Sequence, residues 1–227
     1  MGYCSRTQAA ELIGAGRVRL NGAMRRNAEA PVQLDRDKIE VDGRVIGAAQ
    51  KLYWMLNKPR GVVTTASDEK GRKTVYDYIG EGRRWLAPVG RLDKASEGLL
   101  LFTNDSEWAA RLLDPDSHLA KTYHVHVASQ MDESLLKALR QGVRNGKDFL
   151  RVERVVELRR GERNSWLEIV LNEGKNRQIR RMLDSLGVAV LRLVRVAIAG
   201  LALGELAKGS SRELTAHEKS LIDAQLR

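Results

Sequence analysis

Apolar and polar positions alternate along this chain in two rhythms, one helical and one extended. Behind Ser5, a good N-cap, Ala9, Ala10, Leu12 and Ile13 fall at helical spacing, and Gly14 and Gly16 stop the run. Arg17-Val18-Arg19-Leu20 alternates as a strand does, and Asn21-Gly22 is a tight-turn pair. Lys38-Ile39-Glu40-Val41 is a second short strand, ended by Asp42-Gly43, and Gly47-Ala48-Ala49-Gln50 reads as a linker. Further on, Tyr53 to Asn57 is a short apolar strand broken by Lys58-Pro59-Arg60-Gly61. Gly98 to Thr103 is continuously apolar, as a strand covered on both faces would be. A helix is predicted from Ser106 to Leu113, with Pro115 just past its end. From Thr122 to Val127, Tyr123, Val125 and Val127 share one face, and His124 and His126 the other. Asp132 caps a helix carrying Leu135, Leu136 and Leu139, closed by Gly142. Trp166 to Leu171 is a strand; Ile179, Met182, Leu183 and Leu186 take helical spacing up to Gly187; Val188 to Ile198 is β-branched and extended. Thr215-Ala216-His217-Glu218 is a capping box that opens a last helix. The pattern predicts an α+β fold: a small α/β unit over residues 1–47, then a larger one over 51–227 with a mixed, mainly antiparallel sheet and covering helices.

Composition narrows the partners. The 227 residues are 43% hydrophobic and 30% charged, an ordinary globular balance that excludes a wholly disordered chain. Lys and Arg number 39 against 29 Asp and Glu, a net charge of +10, so a polyanion and first of all nucleic acid is the expected partner. The single cysteine, Cys4, excludes a disulfide framework and a cysteine-rich zinc site. No apolar run approaches the ~18 residues that span a membrane, and Met1 to Arg6 carries no signal-peptide core. A cytoplasmic monomer without membrane contact is the expectation.

Four segments bear candidate chemistry. Pro88 to Gly98 is polar and glycine-bounded, and sets Asp93 at the mouth of the buried strand; there Asp93 either serves a site or caps a turn and pairs with Arg91 or Lys94. Leu171 to Met182 ends a strand, turns at Gly174 and starts a helix; Lys175, Arg177, Arg180 and Arg181 around a helix N-terminus suit phosphate, or form a solvated basic face. Tyr123 lies on the apolar side of its strand, where a tyrosine is ordinarily core, and His124 and His126 read as surface residues and not as metal ligands. In the first unit, Arg6, Arg17 and Arg19, followed by Arg25 and Arg26, suit an RNA backbone.

Together these segments resemble pseudouridine synthases of the RsuA and RluB/E/F type, which act on ribosomal RNA. Gly90-Arg91-Leu92-Asp93 with Ser96-Glu97-Gly98-Leu99-Leu100 resembles the family's catalytic loop, and Lys121-Thr122-Tyr123 its tyrosine strand. Glu173 to Met182 resembles its third motif, Leu191 to Arg195 the segment after it, and Asn57 to Gly61 the opening of the catalytic domain. Residues 1–47 resemble part of an S-four-type RNA-binding module, which normally begins with a further helix where here only Met1 to Cys4 precede Ser5. The resemblance implies that Asp93 is the essential aspartate, that Tyr123 stacks on the target uracil and assists proton removal, and that Lys175 forms the ion pair that keeps Asp93 ionised. It implies that Leu171 packs against the base or the tyrosine. Arg91 would contact the RNA backbone or fill the space left by a flipped nucleotide, with Arg177 and Arg180 binding substrate beside it. Attack at carbon 1′, attack on the ring and removal of a sugar proton are all open to such an aspartate. Isomerising uridine involves no redox change and no group gained or lost, so neither cofactor nor metal is expected. The other reading is a non-catalytic RNA-binding or ribosome-assembly protein on the same fold.

Overall fold

Two Asx-Gly turns shape the N-terminal unit. In the computed structural model, which describes residues 2–33, 35–47, 49–66, 68–80 and 85–226, Asn21 and Gly22 have φ of 52° and 79°, and Asp42 and Gly43 have φ of 49° and 76°. Paired positive φ is what two-residue hairpin turns require. The first joins β1 (Val18–Leu20) to β2 (Ala23–Met24), and the second joins β3 (Ile39–Val41) to β4 (Arg44–Ile46), in an antiparallel sheet of order β2-β1-β3-β4. Ahead of them lies α1 (Arg6–Gly14), opened by a capping box in which the Ser5 hydroxyl accepts from the Gln8 amide and the Gln8 side chain accepts from the Ser5 amide. The helix buries no residue fully; Leu12 and Ile13 face an apolar cavity of about 280 Å³ shared with Val18, Leu20 and Val41. Ala48, in the linker expected at 47–50, lies outside the described residues.

The larger unit is organised by one strand buried on both faces. Its elements are β5 (Tyr53–Lys58), β6 (Ala87–Val89), β7 (Glu97–Thr103), α2 (Ser106–Leu113), β8 (Lys121–Val127), α3 (Glu133–Gln141), β9 (Val143–Asn145) and β10 (Asp148–Leu150). There follow β11 (Arg154–Arg160), β12 (Ser165–Leu171), α4 (Gln178–Ser185), β13 (Val190–Ile198), β14 (Leu201–Ala202), β15 (Ser211–Glu213) and α5 (Ala216–Asp223). The sheet runs β11-β12-β8-β13-β7-β5-β15, with β14 on β13 and β6 on β7. Every pairing is antiparallel except β13 with β7. β9 and β10 form a separate hairpin.

Because side chains alternate across a strand, β7 feeds two cores. Leu99 and Leu101 pack with Trp108, Leu112 and Ile222 beneath α2 and α5, and Leu100 and Phe102 pack with Leu56, Val62, Val75 and Leu86 on the other face. A third core joins Val125, Leu167 and Ile169 of the sheet to Leu136 and Leu139 of α3 and Met182 and Leu183 of α4. Burying each such side chain contributes about 1.5–3 kcal/mol, an upper figure because unfolded chains already hide some surface. The Thr215 and Glu218 capping box opens α5 as its sequence predicts, and the Trp108 indole donates to Asp223 at 2.7 Å to tie α2 to it. Strands β2, β4, β6, β9, β10, β11, β14 and β15 add to the predicted elements; all but β11 are two- or three-residue strands, too short to show a periodicity of their own.

Candidate active site

The parallel contact between β7 and β13 creates the site. Gly98, at φ +102°, lies where a Cβ would stand 2.2 Å from the Arg195 carbonyl oxygen, so only glycine lets the two backbones meet. Just before it, the loop from β6 to β7 carries Asp93 to the edge of a cleft of about 700 Å³, within the range of small-molecule and nucleotide pockets. On the opposite wall stands the turn between β12 and α4, and Tyr123 and Leu171 form part of the floor.

Backbone carbonyls of the Asp93 loop are held from below. Lys58, fully buried, donates from Nζ to the carbonyls of Asp93 (3.1 Å), Ser96 (2.9 Å) and Pro59 (3.2 Å). Burial pushes its ammonium down to about 8, against the pull of Asp93 and Glu97. The Thr64 hydroxyl donates to the Leu92 carbonyl at 2.8 Å, the Gly61 amide to that of Lys94 at 2.7 Å, and Arg180 Nη2 to that of Ala95 at 3.0 Å. Four donors from two stretches of the chain, residues 58–64 and Arg180, thus leave the loop backbone little freedom and leave the Asp93 carboxylate to face the cleft.

Among the described residues that carboxylate has one ion-pair partner, and it is not the residue the resemblance implied. Arg177 Nη1 lies 3.3 Å from Asp93 Oδ2, with the two side chains 49% and 34% exposed. Lys175 instead pairs with Glu173 at 2.9 Å and donates to the Phe149 carbonyl of β10 at 3.3 Å. The cause is the turn. Gln178, buried at the start of α4, donates from Nε2 to the Arg151 carbonyl and to Glu173, which draws Glu173 and Lys175 toward the hairpin. Arg177 takes a left-handed backbone, φ 49°, and this sends its side chain across the cleft.

The remaining candidates divide. Arg91 is exposed at the cleft rim, Leu171 is buried in the floor, and Arg180 is half-buried beneath Asp93, its pKa lowered by burial and then by Arg177 while Asp93 raises it. In the N-terminal unit Arg6 and Arg19 are exposed, whereas Arg17 is held by a two-pronged contact to Asp42. His124 approaches Glu168 at 3.6 Å and His126 stacks on Trp166 at 4.7 Å, both on the sheet face away from Tyr123; among the described residues no cluster could hold a metal ion. Among the described residues no helix is long and apolar enough to cross a membrane. Sequence reasoning placed Lys58, Lys121 and Arg195 inside its motifs without giving them a role.

A loop-borne carboxylate thus faces an arginine across a cleft of a mainly antiparallel sheet, in a chain of net charge +10 whose first unit is a small α/β module. Residues 52–185 match the RNA pseudouridylate synthase family and residues 1–39 the S4 domain, and the chain belongs to that synthase family. It is similar to ribosomal large subunit pseudouridine synthase B of Bacillus subtilis (strain 168), with 38% identity over 225 residues, 98% of this chain and 92% of the relative. The Salmonella typhi protein of the same name is 37% identical over 222 residues, covering 94% of this chain and 76% of its own length. A crystal structure of a pseudouridylate synthase superposes with a TM-score of 0.68 at 29% identity, covering 98% of this chain and 94% of that one. The protein is therefore an RNA pseudouridine synthase, and the non-catalytic alternative falls away.

Proposed function

We propose that this protein converts a uridine of large-subunit ribosomal RNA to pseudouridine, with Asp93 as the reacting carboxylate. The observation that carries this is the Asp93–Arg177 pair, a half-exposed carboxylate held at 3.3 Å by a cation on the far wall of the cleft. The names of the relatives from Bacillus subtilis and Salmonella typhi support the choice of large-subunit RNA. The reaction breaks the bond from uracil N1 to ribose C1′, turns the base and joins C5 to C1′, while C5 loses a proton and N1 gains one. Asp93 acts as nucleophile or base, with the Arg177 guanidinium beside its carboxylate. Tyr123 offers its ring to the base once the nucleotide has left its stack; unstacking costs a few kcal/mol, and an aromatic contact returns about 1–3 of them. Arg91 meets the RNA backbone at the rim, Leu171 packs against the base from the floor, and Lys175 serves the rim through phosphate. The N-terminal unit contributes affinity through Arg6 and Arg19. No cofactor takes part, and the enzyme works as a cytoplasmic monomer.

The test is tritium release from ribosomal RNA labelled at C5 of uridine and taken from cells lacking this protein. Wild type is expected to release tritium, and Asp93→Asn, nearly isosteric, to lose turnover while RNA binding stays within about twofold. Turnover by a folded Asp93→Asn near the wild-type rate refutes the assignment.

A further inference from the structure

Two cations outside the Asp93–Arg177 pair flank Tyr123 on the cleft floor. Arg195 of β13 stands opposite Tyr123 of β8 in the sheet register. Lys121 lies two residues before Tyr123 on the same strand, and therefore on the same face, opposite Leu171 of β12. Both line the cleft. Arg195 is 5% exposed; its Nε donates to the Leu99 carbonyl at 2.7 Å, and its buried Nη2 has no hydrogen-bond partner among the described residues. Lys121 donates to the Leu119 carbonyl at 2.8 Å. Among the described residues neither makes a salt bridge, and Lys121 is held below the usual lysine range first by burial and then by Arg195. Other buried polar atoms without partners sit around the same cleft: Ser96 Oγ, Gln178 Oε1 and Arg180 Nε. Buried polar groups are ordinarily satisfied, so their gathering in one cleft points to a polar ligand that completes them.

We propose that Lys121 and Arg195 read the O4 oxygen of the target uracil and hold the negative charge that reaches the base during the reaction. The inference rests on the pseudouridine synthase reading above. Both groups are donors only, with no acceptor to offer. Uracil presents an acceptor at position 4, whereas cytosine presents an amino group there, which would meet donors and leave both cations unpaired. The O2 oxygen is common to the two bases and cannot tell them apart. When the N1–C1′ bond breaks, its electron pair stays on the base and spreads over N1, O2 and O4. That charge persists until C5 gives a pair to C1′ and loses its proton, N1 taking one up. Two preset cations beside O4, in a cleft partly closed to water, stabilise the base at that stage. Tyr123, between them, sets the plane in which the base presents its edge.

The test is an NMR titration of the full chain with uridine 5′-monophosphate and with cytidine 5′-monophosphate, a readout that does not depend on turnover. Wild type is expected to prefer the uridine nucleotide by about tenfold or more, as a site built to hydrogen-bond a group discriminates against its absence. Lys121→Met and Arg195→Met should each weaken the uridine nucleotide by about tenfold and leave the cytidine nucleotide within twofold, so that the preference collapses. If Arg195→Met does not fold, Lys121→Met decides. No preference in wild type, an unchanged preference in folded Lys121→Met, or an equal loss for both nucleotides, which would mean that the cations hold phosphate, overturns the proposal. Tritium release by wild type reports on the enzymatic reading separately, so the two can fail independently.

Discussion

Arg177 and Asp93, 84 residues apart in the chain, meet at 3.3 Å across the cleft, while Lys175, two residues nearer to Asp93 in sequence, turns away to Glu173 and the β9–β10 hairpin. The pair makes the electrostatic support of the carboxylate a property of the turn before α4, and the two cations of that turn can be separated by experiment.

Arg177→Met removes the cation 3.3 Å from Asp93 and should lower kcat by about tenfold or more. Lys175→Met, which removes a partner of Glu173, should weaken RNA binding and leave kcat within about twofold. Rates measured at saturating RNA check this, since saturation removes the binding contribution. The reverse pattern, a kcat lowered by Lys175→Met alone, would return the ion-pair role to Lys175.

Lys58 predicts an alkaline limb near pH 8. Its three hydrogen bonds to Pro59, Asp93 and Ser96 need all three protons of the ammonium, which burial brings down to about 8. Above that pH one bond to the loop is lost, and kcat/KM should fall. Stability moves the other way. The folded-state value lies below the ordinary 10.5, so between about pH 8 and 10.5 the unfolded chain binds more protons, and this group's contribution raises stability as pH rises. A kcat/KM limb near pH 8 without a matching drop in Tm is the expected signature; a flat profile to pH 9.5 contradicts it.

Gly98→Ala should be among the most damaging small substitutions. The added Cβ would meet the Arg195 backbone at 2.2 Å, and φ of +102° disfavours any L side chain. A loss of about 3 kcal/mol or more is expected, from backbone strain together with a separated β7–β13 contact. Urea unfolding of the variant beside wild type measures it, and a loss below 1 kcal/mol would mean that the two strands part at little cost.

RNA affinity should fall steeply with salt. Arg6, Arg19, Arg60, Arg91, Lys94 and Lys175 are exposed, and Arg17 and Arg181 are engaged by Asp42 and Asp148. About six phosphate contacts give a slope of log K against log salt of roughly −4 to −5. Binding to ribosomal RNA between 50 and 200 mM salt, values spanning the usual range for such measurements, checks it; a slope near zero would place the basic surface against something else.

Helix starts, tight turns and the doubly buried strand were legible in the chain alone. Ser5 with Gln8 and Thr215 with Glu218 close their capping boxes within four residues, and Asn21-Gly22 makes its turn whatever surrounds it. The apolar run through Leu99 to Phe102 needs cover on both faces in any fold, and Asp93 at its mouth follows from that. Strand β11, with Arg154, Glu157, Arg159 and Arg160 among its seven residues, carries too many charges to read as a strand; it exists because β12 offers it an edge and one face stays in water. The partners of the cations around the cleft were hidden in the same way. Arg177 reaches Asp93 through a left-handed backbone that an arginine seldom adopts, Lys58 is buried because the carbonyls of Asp93 and Ser96, from one loop distant in sequence, converge on it, and Arg195 faces Tyr123 only through the β13–β8 pairing. Local hydrogen bonds and periodicity are written in neighbouring residues, so sequence determined the elements and brought Asp93 forward as a candidate. Which positive charge stands beside that carboxylate depends on how elements dozens of residues apart are packed, and only the tertiary structure decided it.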